Sequence, residues 1–334
     1  MDDPIDATLP QPRLFVQICA LNERDTIAGV IAGIPREIGG VASVIVMVVD
    51  DGSTDGTAEV ARAAGADLFL RHPRNKGLAH AFQDGIDACL RHGADIVVNI
   101  DADGQYRGQD IPALIAPILA GRADLVVGDR QVATLEHFSP FKRFLQKLGS
   151  WMVRAASGLA IPDAVSGFRA YSREAALRLF VTLSFSYTVQ TLIQAGKTGL
   201  AVDSVPIQAR HTPRPSRLHK GILHFVSRQA LILMRTYVTY EPMKTFLALA
   251  LPFLLLGAGL MARLAVIAAE RGGLTGNVQS LIVGVISLVI GLLLAITGII
   301  ADRVRENRRL LEEILYRARA AEVARAQSPP NNAG

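Results

Sequence analysis

Two cysteines in 334 residues, Cys19 and Cys89, stand at no metal-ligand spacing, which leaves no basis for a disulfide framework or a thiolate zinc site. They read as ordinary core thiols. The opening residues, Met1-Asp2-Asp3-Pro4, are acidic and lead into no apolar stretch, so no secretory signal is expected. No Gly-x-Gly-x-x-Gly follows an apolar strand, and a dinucleotide fold therefore lacks its fingerprint. Gly196-Lys197-Thr198 imitates the end of a P-loop, but Thr191 stands where that loop needs its first glycine. Internal repeats are missing too, and only the polar tail beyond Ala326 is of low complexity.

Apolar residues make up 50% of the chain, ample for a buried core, but they are unevenly spread. Residues 245–262 and 278–301 each form a run without a charge. Their lengths approach or exceed the roughly 20 residues that cross a bilayer. Two membrane helices are expected, at 244–268 and 278–301, with Arg263 near an end where its side chain can reach the interface. The net charge of +5 is modest, and the excess lies at 210–235 and 303–319, on either side of the apolar pair. By the positive-inside rule both termini are cytoplasmic and the protein is an integral one of a bacterial-type inner membrane. Such a placement points to anionic headgroups or phosphates, not nucleic acid. Residues 216–241 mix large apolar side chains with Arg217, Lys220, Arg228 and Arg235, as amphipathic helices lying among membrane lipids do. A basic helix and polar tail follow at 302–334. Gly284 and Gly291 permit either self-association into a homo-oligomer or close packing on the first apolar helix.

Before the membrane segment, after an N-terminal tail of residues 1–13, residues 14–215 alternate short β-rich runs (14–18, 44–50, 67–70, 96–100, 125–127) with helical spacing at 27–34, 57–64 and 78–92. That alternation predicts an α/β domain with a largely parallel sheet, whose ligands sit at the carboxyl ends of the strands. Two acid pairs fall there. Val49-Asp50-Asp51-Gly52-Ser53 ends one apolar run, and a helix cap explains Ser53 or Asp55 but not the doubled acid. Asn99-Ile100-Asp101-Ala102-Asp103-Gly104-Gln105 ends another, with alternate side chains able to converge on one divalent ion.

These two motifs, with Asn22-Glu23, Asn75-Lys76-Gly77, Gly128-Asp129-Arg130, Ser166-Gly167-Phe168-Arg169 and a basic stretch from Arg210 to Leu218, occur in an order that closely resembles the family 2 glycosyltransferases of the GT-A fold. Within that family the resemblance is to the polyprenyl-phosphate sugar transferases related to dolichyl-phosphate mannose synthase. It implies a Rossmann-like GT-A catalytic domain, followed by interfacial helices and a two-helix transmembrane hairpin. It further implies that Leu21, Glu23, Asp50, Asp51, Lys76, Asp101 and Arg130 bind the nucleotide. Asp101, Asp103 and Gln105 would hold Mg²⁺ or Mn²⁺ against the diphosphate, whose charge the metal cancels as it leaves. Arg210, Arg214, Ser216 and Arg217 would meet the acceptor phosphate, and Asp103, Asp163, Arg169 and Arg210 would be catalytic. The implied reaction inverts the anomeric carbon of a UDP- or GDP-linked hexose, with a polyprenyl phosphate as acceptor.

Two positions depart from the family pattern. Cys19-Ala20-Leu21-Asn22-Glu23 lacks the proline and tyrosine usual before Asn-Glu, and Tyr187-Thr188-Val189-Gln190 lacks a carboxylate that many relatives carry on that helix. A hydroxyl acceptor must lose a proton as it attacks and wants a general base, whereas a phosphate monoester is already anionic. The missing carboxylate therefore favours a lipid phosphate. A hydroxyl lipid such as diacylglycerol or ceramide, or a glycan, would need Asp163 as base. An inactive membrane adaptor is opposed by the intact Asp50, Asp51, Asp101 and Asp103.

Overall fold

A computed structural model describes residues 11–131, 154, 157–181, 187–210, 242–271 and 278–327. The expected interfacial helices at 216–241, and with them Arg214, Ser216 and Arg217, lie outside the described residues. The chain divides into two compact units, Met1–Ile222 with Leu315–Gly334, and Leu223–Ile314.

In the first unit the strands are β1 (Arg13–Ala20), β2 (Ser43–Asp50), β3 (Leu68–Arg71), β4 (Ile96–Asp101), β5 (Leu125–Asp129), β6 (Arg169–Ser172) and β7 (Val202–Pro206). They form one sheet in the order β3-β2-β1-β4-β6-β5-β7. All pairs are parallel except those of β6, which runs antiparallel to both β4 and β5. The sheet is thus largely parallel, as expected. Its central strand β1 is buried from Leu14 to Ala20, because helices cover both faces and neither can alternate with polar residues.

Helices α1 (Arg24–Ala32), α2 (Thr57–Ala63) and α3 (Leu78–Arg91) fall at the spacings read from the sequence. α3 buries Phe82, Ile86, Cys89 and Leu90 at helical period, and Gly93 ends the turn after it at φ +89°. Gly85 lets α3 lie against the sheet, since a Cβ there would come within 2.7 Å of Gln17 and Val49. α4 (Ile111–Leu119), α5 (Arg173–Arg178) and α6 (Tyr187–Thr198) complete the layers.

Two long helices follow, α7 (Pro242–Arg271) and α8 (Val278–Gln327). Both are long and apolar enough to cross a membrane, and only 11% and 22% of their apolar windows are buried. The core hairpin of a soluble protein would turn those side chains inward. In the second unit α7 and α8 pack through glycines: a Cβ on Gly284, Gly291 or Gly298 would collide with Met261, Leu254 or Phe246 respectively. Seven-residue spacing keeps these glycines on one face of α8, and α7 occupies it. Of the two roles open to Gly284 and Gly291, the structure shows packing within the hairpin.

The last turns of α8 belong to the first unit and are no loose tail. Arg319, mostly buried, donates to the Leu177 and Leu179 carbonyls and pairs with Asp87 of α3. Tyr316 donates to Glu174 at 2.9 Å, and Gln327 donates to the Leu90 carbonyl at 2.9 Å.

Candidate active site

The carboxyl ends of β1, β2 and β4 carry the motifs read from the sequence, and buried polar contacts stitch their loops together. After β1, Asn22 takes a left-handed conformation at φ +54°, which aims its side-chain oxygen at the Thr54 N–H, 2.9 Å away. Its own N–H donates to Ser53 Oγ at 2.9 Å, and the Glu23 N–H donates to Thr57 Oγ1 at 2.9 Å. Glu23 accepts from the Thr26 hydroxyl through Oε2. Leu21 is half-buried beside them.

Asp50 and Asp51 are both buried. Asp50 Oδ1 accepts the Ser53 N–H at 2.9 Å, and Oδ2 lies 3.3 Å from Arg71 Nε at the end of β3. Asp51 reaches sideways, accepting the Lys76 N–H at 2.9 Å and the Gly77 N–H at 2.8 Å while meeting His72 Nδ1 at 2.7 Å. The other ring nitrogen of His72 sits 3.0 Å from Asp84, which also pairs with Lys76 Nζ at 3.1 Å. Gly52 makes this turn possible: its φ is +82°, and a Cβ would come within 2.7 Å of the backbone at Arg74. Asp51 thus holds the Asn75-Lys76-Gly77 loop in place.

The second pair is left open. Asp103 accepts only the Gln105 N–H, at 2.9 Å, and Asp101 takes no hydrogen bond or ion pair among the described residues. Burial and the neighbouring Asp103 charge push the Asp101 carboxyl up to about 7, against the lowering pull of Arg130 and Arg169. Carboxylates with so few protein partners suit a divalent ion, whose charge would reverse that shift. The described residues hold no cluster of three or more His, Cys, Asp or Glu that could cage an ion unaided. An ion here would be completed by water or phosphate oxygens, as Mg²⁺ usually is. Gln105 offers its carbonyl to the Arg210 N–H at 2.8 Å, which brings Arg210 to this loop.

Ser166-Gly167-Phe168-Arg169 lies across Asp101. The Gly167 N–H donates to Tyr106 Oη at 3.1 Å, its carbonyl accepts from Asn99 Nδ2 at 2.9 Å, and a Cβ on it would stand 2.7 Å from Asp101 Oδ2. Phe168 stacks on Tyr106 with ring centroids 5.3 Å apart, as packing.

Two expected catalytic groups are placed otherwise. Arg169 is fully buried and donates to the carbonyls of Ala164, Ser166 and Thr188 and to Thr191 Oγ1. Fully buried among these acceptors, it holds the loop together. Asp163 is also buried, and both of its oxygens are taken by the Arg130 guanidinium, at 2.7 and 3.0 Å. That fork engages both oxygens, so a proton taken up there would break the ion pair.

Asn99 and Tyr187, though quoted in motifs, make contacts not assigned to them from sequence, and Tyr106, Arg71 and His72 lie outside the motifs. A signal exists for the first. Asn99 is a polar residue inside an otherwise apolar strand, and its amide also donates to Tyr187 Oη at 3.2 Å. His72 offers none, because only the tertiary fold sets it between Asp51 and Asp84.

Fold and site together fit a glycosyltransferase: a largely parallel α/β sheet with an open acid pair at the end of a central strand. Residues 15–180 match the Glycosyl transferase family 2 domain, and the chain belongs to that family. It is 31% identical over 210 residues to the polyprenol monophosphomannose synthase of Mycolicibacterium smegmatis, covering 59% of this chain and 77% of that one. It is 30% identical over 189 residues to a UDP-N-acetylglucosamine–dolichyl-phosphate N-acetylglucosaminyltransferase of Methanococcus voltae, covering 50% and 75%. Among solved structures, glucosyl-3-phosphoglycerate synthase of Mycobacterium tuberculosis, crystallised with Mn²⁺, UDP and glucosyl-3-phosphoglycerate, aligns with a TM-score of 0.52 at 26% identity, over 69% of this chain and 80% of that one.

Proposed function

We propose that this glycosyltransferase moves a hexose from a UDP- or GDP-sugar to a polyprenyl phosphate at the cytoplasmic face of a membrane, with inversion and with Mg²⁺ or Mn²⁺. The observation that carries the reading is the contrast between Asp101, half-buried beside Asp103 without a protein partner among the described residues, and Asp51 and Asp163, each with both oxygens held by donors. When bound, the ion would lower the charge on the departing diphosphate. Asp101 and Asp103 would hold it, with Gln105 completing the loop. Glu23, Asp50 and Lys76 line the nucleotide end, and Arg210 approaches from the acceptor side.

Three further features support a lipid-phosphate acceptor. Asp163, the candidate base for a hydroxyl, is locked by Arg130. Both relatives named above act, by their names, on polyprenol or dolichyl phosphates. Lastly, the end of α8 packs against the catalytic domain, so a hairpin of two spans would return to the side it left. Catalysis would rest on positioning and charge neutralisation, since the nucleophile arrives ionised.

The test is product formation by purified protein in detergent with undecaprenyl phosphate, either metal and a panel of UDP- and GDP-sugars, beside Asp103→Ala. A glycolipid that needs both metal and Asp103 is expected. Metal-dependent nucleotide binding with no turnover on the lipid phosphate, but turnover on diacylglycerol or ceramide, would overturn the acceptor.

A further inference from the structure

Most apolar side chains of α8 sit where a bilayer can cover them, but some do not. The charge-free run ends near Ala301, and roughly half of the residues over 302–322 are charged. In that polar stretch Val304, Leu311 and Ile314 remain exposed, at 61–64% of their surface, as does Leu310, which flanks them one position away. They continue a line begun inside the membrane run by Ile286, Leu293 and Ile300, which are 52–59% exposed. The spacing alternates four and three residues: 286, 290, 293, 297, 300, 304, 307, 311, 314, 318 and 321. Over 302–322 no charge falls on this line.

Charged side chains instead pair along the flanks of the same helix, Arg303 with Glu306 at 2.8 Å, Arg305 with Asp302 at 2.7 Å and Arg308 with Glu312 at 2.9 Å. The line is also distinct from the side already in use. Gly284, Gly291 and Gly298 lie about 130° round the helix from the middle of the line, against α7, Arg319 continues their face three repeats on, and Tyr316 projects beside it. Lipid tails impose no period of 3.5, and they do not reach a segment lined with arginine and glutamate.

We propose that this seam is where a second copy of the chain docks, α8 lying parallel to α8 about a two-fold axis along the membrane normal. A 3.5-residue repeat keeps two identical parallel helices in register, and over 286–314 it runs for about 42 Å. Asn307 argues for an identical partner. It is exposed on the seam with apolar neighbours at 304 and 311, and a second Asn307 across the axis offers its amide both a donor and an acceptor at the same level.

Cysteine scanning tests this directly, because the native Cys19 and Cys89 are buried and silent. In lipid nanodiscs or native membranes, Val304→Cys, Leu311→Cys and Ile314→Cys are expected to give disulfide dimers, and Glu313→Cys, off the seam, at least about tenfold less. Mass photometry of the unmodified protein in nanodiscs is expected to count two copies, and Leu311→Glu to shift it to one while metal-dependent nucleotide binding persists. Single copies throughout, or cross-linking indifferent to the face carrying the cysteine, would overturn the dimer. Single copies with Leu311→Cys shielded from thiol reagents would assign the seam to another segment of the same chain instead. None of these outcomes depends on which sugar or acceptor the enzyme uses.

Discussion

The ends of β2 and β4 carry the same words in sequence, two acids, a glycine and a polar residue, and the fold uses them in opposite ways. After β2 the protein itself supplies donors: Ser53 and Arg71 to Asp50, His72, Lys76 and Gly77 to Asp51. After β4 it supplies one, Gln105 to Asp103, and leaves Asp101 bare. Asp51, with both oxygens engaged by donors, is a structural joint; Asp50 keeps one buried oxygen without a hydrogen bond, and half-buried Asp101 has no protein partner among the described residues. Asp51 thus fixes the Asn75-Lys76-Gly77 loop, and the second pair is the proposed site of metal and diphosphate.

The largest effect that could break this contrast is on turnover. Asp103→Ala is expected to lower kcat by about 10²–10³-fold, the usual scale for removing one electrostatic stabiliser, with little change in the denaturation midpoint. If stability falls in step with activity, Asp103 is a joint like Asp51 and the contrast fails. Asp51→Ala should behave in the reverse sense. It strands the Lys76 and Gly77 N–H groups and His72, which predicts a loss of about 3 kcal/mol in urea or guanidinium unfolding. A loss below about 0.5 kcal/mol would mean that the loop holds itself. Between them stands Gly167→Ala. The added methyl meets Asp101 Oδ2 at 2.7 Å, so either the loop or the carboxylate must shift. The expectation is an apparent metal affinity weaker by about tenfold, or about 1.4 kcal/mol, read by titrating Mn²⁺ against activity.

Much of the contrast is legible in the amino-acid sequence, and the illegible part has a common cause. Strand and helix periods place β1 to β5 and α1 to α3, because their burial follows local pattern. β6 escapes, being four residues that reverse direction in a parallel sheet, and its Arg169 is implied by the family resemblance to be catalytic. Arginine in a motif does not disclose its partners; here they are backbone carbonyls brought from Ala164 and Thr188. The same holds for Asp163, whose two oxygens are engaged by a residue 33 positions away. The continuation of α8 reads in sequence as a basic helix and polar tail, since Arg319 and Tyr316 find their partners only once α3 and α5 are folded.

The smallest effect is also the sharpest in sign. Metal-free, Asp101 has its carboxyl raised from an ordinary 3.8 to about 7, chiefly by burial and then by Asp103. Between those values the folded protein binds a proton that the unfolded chain has released, so stability falls as pH rises through this window. The contribution is fully present below about pH 4 and fully lost above about pH 7. Asp101→Asn, which cannot ionise, removes the dependence. Without metal, the variant is therefore expected to melt at a higher temperature than the parent at pH 8 and to lose that advantage by about pH 4.5, while being inactive at both. Added Mn²⁺ should reverse the order at pH 8, since only the parent can bind the ion through a carboxylate there and gain stability by mass action. Equal melting temperatures at pH 8, with and without metal, would show that Asp101 is already satisfied in the free protein, and the difference between the two acid pairs would disappear.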